Sequence, residues 1–124
     1  MEPADVVRAF VNAINHQSAD ELAELMTDDH VFTDSMGAAL SGRARMRAGW
    51  ASYFRMVRDY SITVEETFSD GSVVILLGVA QGTYSDRAWS TPAAWRAKVR
   101  DGRVAEWRVY ADNEPLRQLM RKGN

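Results

Sequence analysis

The chain has 124 residues, enough for one ordinary domain and too few for a second independent one. Hydrophobic residues make up 46% and charged residues 26%, with 3 Pro and 8 Gly, so there is material for a core and none of the polar bias of a disordered chain. A net charge of −2 leaves no basic excess for a row of phosphates, and the lack of Cys excludes disulfides, thiolate nucleophiles and cysteine-held metal.

From these limits a single domain over residues 1–124 is expected, with no nucleic acid among its partners. Met1-Glu2-Pro3-Ala4-Asp5 is acidic and has no apolar stretch of a secretory signal. The longest apolar run, Val73 to Ala80, is too short to cross a bilayer as a helix. A cytoplasmic protein with no membrane contact is expected, and a cysteine-free chain suits a reducing compartment.

In chain order, Val7, Phe10, Val11 and Ile14 repeat at helical spacing behind Pro3, which predicts a first helix over roughly residues 3–16. Ser18-Ala19-Asp20-Glu21 fits a capping box, and Leu22, Leu25 and Met26 continue a short second helix to near Asp28. A third helix takes Ser41 as its N-cap and puts Met46, Trp50, Tyr53, Phe54 and Val57 on one face. After Arg58 the period changes to two, so Tyr60, Ile62 and Val64 mark a half-buried strand closed by Ser69-Asp70-Gly71.

Val73 to Tyr84, apolar on both faces as far as Ala80, reads as a central strand and the longest of its sheet. Trp89 to Val99 follows as another strand, with Pro92 marking a bulge or edge position. Asp101-Gly102 predicts a two-residue hairpin pairing Arg100 with Arg103, Val99 with Val104 and Trp95 with Arg108. That register places Trp95, Ala97, Glu106, Arg108, Tyr110 and Asp112 on one face, and Arg96, Lys98, Trp107 and Val109 on the other. Pro115 starts a short last helix through Leu116, Leu119 and Met120.

Helices first and an antiparallel sheet last make an α+β pattern. That order resembles the nuclear transport factor two-like superfamily, within it the SnoaL-like polyketide cyclases. The likeness is carried by Val6 to Asn15, Val31-Phe32-Thr33-Asp34, Ser41-Gly42-Arg43, Asp101-Gly102-Arg103-Val104 and Trp107 to Asp112. It implies a cone, in which three N-terminal helices pack on a curved, mostly antiparallel sheet around a pocket. The superfamily includes ketosteroid isomerases, epoxide hydrolases, cyclases, dehydratases and non-catalytic binding domains, so fold alone leaves the activity open.

Asp34 shares a strand face with Phe32 and Met36, and its place resembles that of the catalytic base of ketosteroid isomerases; the alternative is a cap for the turn at Ser35-Met36-Gly37. The isomerase likeness fails at the oxyanion donors. Phe10 stands where a tyrosine is expected, and Trp95 stands near the place of the protonated acid, with only an indole N–H to donate. Asp112 resembles an acid or base of SnoaL-like cyclases and epoxide hydrolases, with Arg108 and Tyr110 beside it as a polar cluster; the alternative is an N-cap for the last helix. Gly78 and Ala80 occupy the places where the hydrolase pattern needs arginine and aspartate, which disfavours that reading.

Arg108 is a candidate to bind a substrate carboxylate or enolate, with an ion pair to Glu106 or Asp112 as the favoured alternative. Phe10, Met36, Trp50, Phe54, Trp89, Trp95, Tyr84 and Tyr110 supply lining for a flat hydrophobic ligand. His16 and His30 converge on no metal, and no phosphate loop or hydrolase triad motif occurs. The expected protein is a cofactor-independent pocket protein for a small hydrophobic molecule, an isomerase, cyclase or dehydratase using Asp34 and Asp112, or else a non-catalytic binding or dimerisation domain. A homodimer through the face carrying Trp107 and Val109 is also expected, as superfamily members often pair that way.

Overall fold

In the computed structural model, which describes residues 2–122, the elements follow in the order α1 (Pro3–Asn15), α2 (Ala19–Glu24), β1 (Met26–Thr33), β2 (Ala39–Ser41), α3 (Arg43–Met56), β3 (Arg58–Asp70), β4 (Val73–Tyr84), β5 (Arg87–Arg100), β6 (Arg103–Ala111) and α4 (Glu114–Lys122). All the strands join one curved mixed sheet, ordered β2-β1-β6-β5-β4-β3, in which β1 and β6 run parallel and every other pair is antiparallel. The architecture is α+β, with helices against the concave face.

Pro3 opens α1, and Val6, Val7, Phe10, Val11 and Ile14 form its buried stripe; each such side chain contributes about 1.5–3 kcal/mol on burial. The end of α1 is tied to β3. The Asn15 amide donates to the Ile62 carbonyl at 3.0 Å and accepts from the Ile62 N–H at 2.8 Å, doing for this edge strand what a neighbouring strand would do. Gln17 donates to the Tyr60 carbonyl beside it.

Several boundaries differ from the sequence reading. The second helix stops at Glu24, because Met26 pairs with Val104 and the Val104 N–H donates to the Leu25 carbonyl at 2.7 Å, so sheet pairing ends the helix before Asp28. Ser41 closes the short strand β2, and Gly42, at φ 105°, takes the N-cap place of α3 without a side-chain bond. The longest strand is β5 with 14 residues, against 12 for β4. Pro92 lies in β5 one residue past the last pair with β6, Ala93↔Ala111, where the strand is locally an edge.

The main correction concerns the β5–β6 hairpin. Arg100 pairs with Arg103 and Val99 with Val104, as the positive φ values at Asp101 and Gly102 allow, but Lys98 then faces Glu106 and Ala105 is left over. One extra residue reverses every side chain that follows. Trp95 pairs with Val109, not Arg108, and Trp107 lies opposite Ala97 at 1% exposure. Trp107 and Val109 therefore face the helices, while Glu106, Arg108 and Tyr110 join Arg96 and Lys98 outside. The dimer surface expected from Trp107 and Val109 does not exist.

Candidate functional site

A cavity of about 290 Å³ lies between α3, the concave face of the sheet and the turn after β1. Met46, Trp50 and Tyr53, spaced four and three apart on α3, form one wall, and Gly49 lies beside them. The sheet supplies Phe32, Leu40, Tyr60, Ala80, Trp89, Val109 and Ala111. Asp34, Ser35 and Asn113 are the polar contributions, from the β1–β2 turn and the approach to α4.

Gly82 is what leaves room for the Val57 side chain. A Cβ there would stand 2.7 Å from Val57 Cγ1, whereas the ring of Trp89, the cross-strand partner of Gly82, would meet it at an ordinary 3.5 Å. Tyr53 meets Trp50 at 87° and Tyr60 at 85°, with ring centroids 6.2 and 5.1 Å apart. Tyr60 in turn lies 6.3 Å from both Trp50 and Trp89 at lower angles. The rings wall the space from several sides and do not stack as one slab. Burial pushes the Tyr53 phenol up to about 12 and moves Tyr60 in the same direction, so both hydroxyls are neutral at physiological pH.

Asp34 is half-buried at the cavity and also holds its turn. Its Oδ1 accepts from the Met36 N–H at 2.9 Å and the Ala38 N–H at 3.0 Å, while its backbone pairs with Ala38 and Gly37. Ser35 Oγ accepts from Asn113 Nδ2 at 3.0 Å, which joins this turn to the start of α4 across the cavity's polar end.

Of the residues expected at the site, Asp34, Trp50 and Trp89 line the cavity. Phe54 packs against Trp50 at 5.5 Å but is not in the wall. Phe10 and Trp95 lie in the core, both against Trp107. Met36 is 78% exposed, because β1 ends at Thr33 and the turn carries Met36 outward. Arg108 and Tyr110 stack on each other at 5.0 Å on the outer face. Asp112 is exposed and accepts from the Glu114 N–H at 3.0 Å, one residue ahead of Asn113, which holds the N-cap place of α4, while Arg117 stands 3.8 Å away. The expected cluster of Arg108, Tyr110 and Asp112 does not form at the cavity, and Glu106 pairs with Arg96.

Tyr60, Ser35 and Asn113 were not legible as site residues. Tyr60 read as one apolar position of a strand, and Ser35 and Asn113 meet only through the fold. His30 is fully buried with Nδ1 2.7 Å from the Val104 carbonyl, and among the described residues no group of three His, Asp or Glu is placed to hold a metal ion. No helix among them is long and apolar enough to cross a membrane. Gly78, where a hydrolase would carry arginine, has the Thr63 carbonyl oxygen 1.9 Å from the position of a Cβ and admits no side chain.

Residues 7–107 match the profile of the SnoaL-like domain. No curated protein matches the chain. Among solved structures it is similar to a protein of ketosteroid isomerase-like fold from Catenulispora acidiphila in complex with trimethylamine, at 19% identity over 93% of this chain and 90% of that one, with a TM-score of 0.83. A protein described as a SnoaL-like polyketide cyclase from Shewanella denitrificans is similar at 14% identity, 97% coverage of each chain and a TM-score of 0.85. An LEH-like epoxide hydrolase of M. tuberculosis gives 21%, coverage of 96% and 90%, and 0.84. At these identities the likeness is one of fold.

Proposed function

Because the chain belongs to the SnoaL-like domain family, whose fold frames a cavity without fixing a reaction, we propose that it takes up a small hydrophobic molecule of one or two rings. The observation that carries this is an aromatic cavity with Asp34, Ser35 and Asn113 gathered at one end, just below the ~300–1,000 Å³ usual for small-molecule sites. The trimethylamine complex of the Catenulispora protein supports a small organic occupant. Native mass spectrometry of protein purified from its host tests the reading: a retained small molecule of fixed mass supports it, and repeated recovery of empty protein that also fails to bind small aromatic probes overturns it.

Two uses of the site follow. In the catalytic one, Asp34 is the base that moves a proton in an isomerisation, cyclisation or dehydration of a carbonyl compound, and the neutral Tyr53 and Tyr60 phenols donate to the carbonyl oxygen. Asp112, outside the cavity, has no part in it. In the non-catalytic one, Asp34 holds its turn and contacts the ligand, a use favoured by its two backbone bonds. Turnover of the recovered ligand by the wild type, lost in Asp34→Asn, selects the first; binding without turnover selects the second.

We also propose a homodimer through the outer face of the sheet. Phe68 pairs with Ile75, Leu77 with Ala94 and Ala94 with Tyr110, so these residues form one apolar patch, with Phe68 53% and Tyr110 48% exposed. Sedimentation giving a dimer that Leu77→Arg dissociates supports this surface; a monomer at micromolar concentration rejects it. The acidic balance and the cysteine-free sequence support a cytoplasmic protein working apart from nucleic acid.

A further inference from the structure

The charge inventory of the cavity is one-sided. Among the described residues that line it, Asp34 is the one carboxyl group, and no Lys, Arg or His contributes to the wall. Its Oδ1 is engaged by the Met36 and Ala38 N–H groups, and no partner for Oδ2 occurs among the described residues. The rest of the wall is aromatic, from Phe32, Trp50, Tyr53, Tyr60 and Trp89, whose π faces are also negative.

We propose that the occupant is a cation: a protonated or quaternary amine on a small hydrophobic body, its ammonium group beside Asp34 and its methyl or methylene groups against the aromatic rings. The proposal deepens the pocket reading above and rests on it, with Asp34 as counter-ion. An anion entering this space meets a carboxylate and ring faces of its own sign, with no positive side chain to offset its desolvation. A neutral molecule gains apolar burial and hydrogen bonds from the Tyr53 and Tyr60 hydroxyls or the unpartnered Trp50 and Trp89 indole N–H groups, with no ionic attraction to Asp34. A cation gains the same burial, neutralises Asp34 in a site of reduced dielectric, and adds cation–π attraction at Trp and Tyr.

The test compares two probes of one shape, benzyltrimethylammonium and its uncharged carbon isostere neopentylbenzene, by calorimetry and quenching of tryptophan fluorescence on the full chain. The cation is expected to bind at least about tenfold more tightly. That preference should shrink several-fold in Asp34→Asn and persist in Asp112→Asn, whose carboxylate lies outside the cavity. Equal or tighter binding of the isostere overturns the proposal and leaves the hydrophobic pocket standing. Failure of both probes to bind counts against the pocket itself. Loss of the preference to the same degree in both aspartate variants overturns the proposal in favour of general surface attraction. The wild-type comparison needs no variant to fold.

Discussion

The rings of Phe10 on α1 and Trp107 on β6 pack with centroids 4.8 Å apart and planes inclined by 44°. The contact exists because Ala105 bulges out of register and turns Trp107 toward the helices. Both residues are at most 1% exposed. Each truncation to Ala is expected to cost about 3–5 kcal/mol from lost burial and the cavity left behind. Urea unfolding of the single and double variants should give a coupling of about 0.5–1.5 kcal/mol, whereas strict additivity would mean that the ring pair contributes nothing beyond area.

The same bulge marks where sequence reasoning stopped. Helix α1 was legible because Val7, Phe10, Val11 and Ile14 repeat at 3.6, and the turn at Asp101-Gly102 because few residue pairs take two positive φ values. An extra residue at Ala105 leaves no such mark: alanine suits either face, and the alternation is broken only relative to the partner strand. Every face assigned after it was inverted, Arg108 and Tyr110 included. Asp34 was legible from its own strand pattern, since Phe32 two residues earlier does face the cavity. The pairing of Ser35 with Asn113, 78 residues apart, depends on where α4 begins and has no local pattern.

His30 makes stability depend on pH in the mildly acidic range. Its Nδ1 faces a carbonyl and so carries the proton in the neutral ring; burial, the main cause, lowers its pKa below the ordinary 6.5. A base with a depressed folded pKa binds fewer protons folded than unfolded, so stability is full above about 6.5 and falls with pH below it. The slope for this one group approaches about 1.4 kcal/mol per pH unit. Urea titrations at pH 7 and 5.5 should show the fall in the wild type and in His16→Gln, an exposed control, and a flatter profile in His30→Gln. An unchanged slope in His30→Gln would assign the effect elsewhere.

At the alkaline end Tyr53 and Tyr60 act with the opposite sign. Burial raises both phenols above the unfolded value of about 10, so the folded state holds protons that the unfolded state has released. Stability is therefore full below about pH 10 and declines as pH rises through the window above it. Phenolate absorbance gives a direct check. Tyr53 should titrate near 12, and Tyr60 should ionise only as the protein unfolds. Loss of the late-titrating phenol in Tyr60→Phe, with the folded state intact, identifies it; normal titration of all four tyrosines in the folded protein would contradict the buried aromatic wall.

Asp34 does two physical things at once, and three proteins separate them. As a turn acceptor, its Oδ1 satisfies two backbone N–H groups, at Met36 and Ala38, which would otherwise seek water. As a charge, it sets the sign of the cavity. Asn keeps an Oδ1 acceptor in the same place and removes the charge; Ala removes both. Asp34→Ala should therefore lose about 1 kcal/mol, the usual scale for a side chain that holds backbone donors, with melting temperature and urea midpoint falling together. Asp34→Asn should stay close to the wild type in stability at neutral pH, and any ligand preference or turnover should change in that variant on an intact fold. If Asn is as destabilising as Ala, the charge holds the turn, and a functional loss in either variant is a consequence of misfolding at the cavity's polar end. If Ala is as stable as the wild type, the turn stands without its cap, and the residue's value lies in the cavity alone.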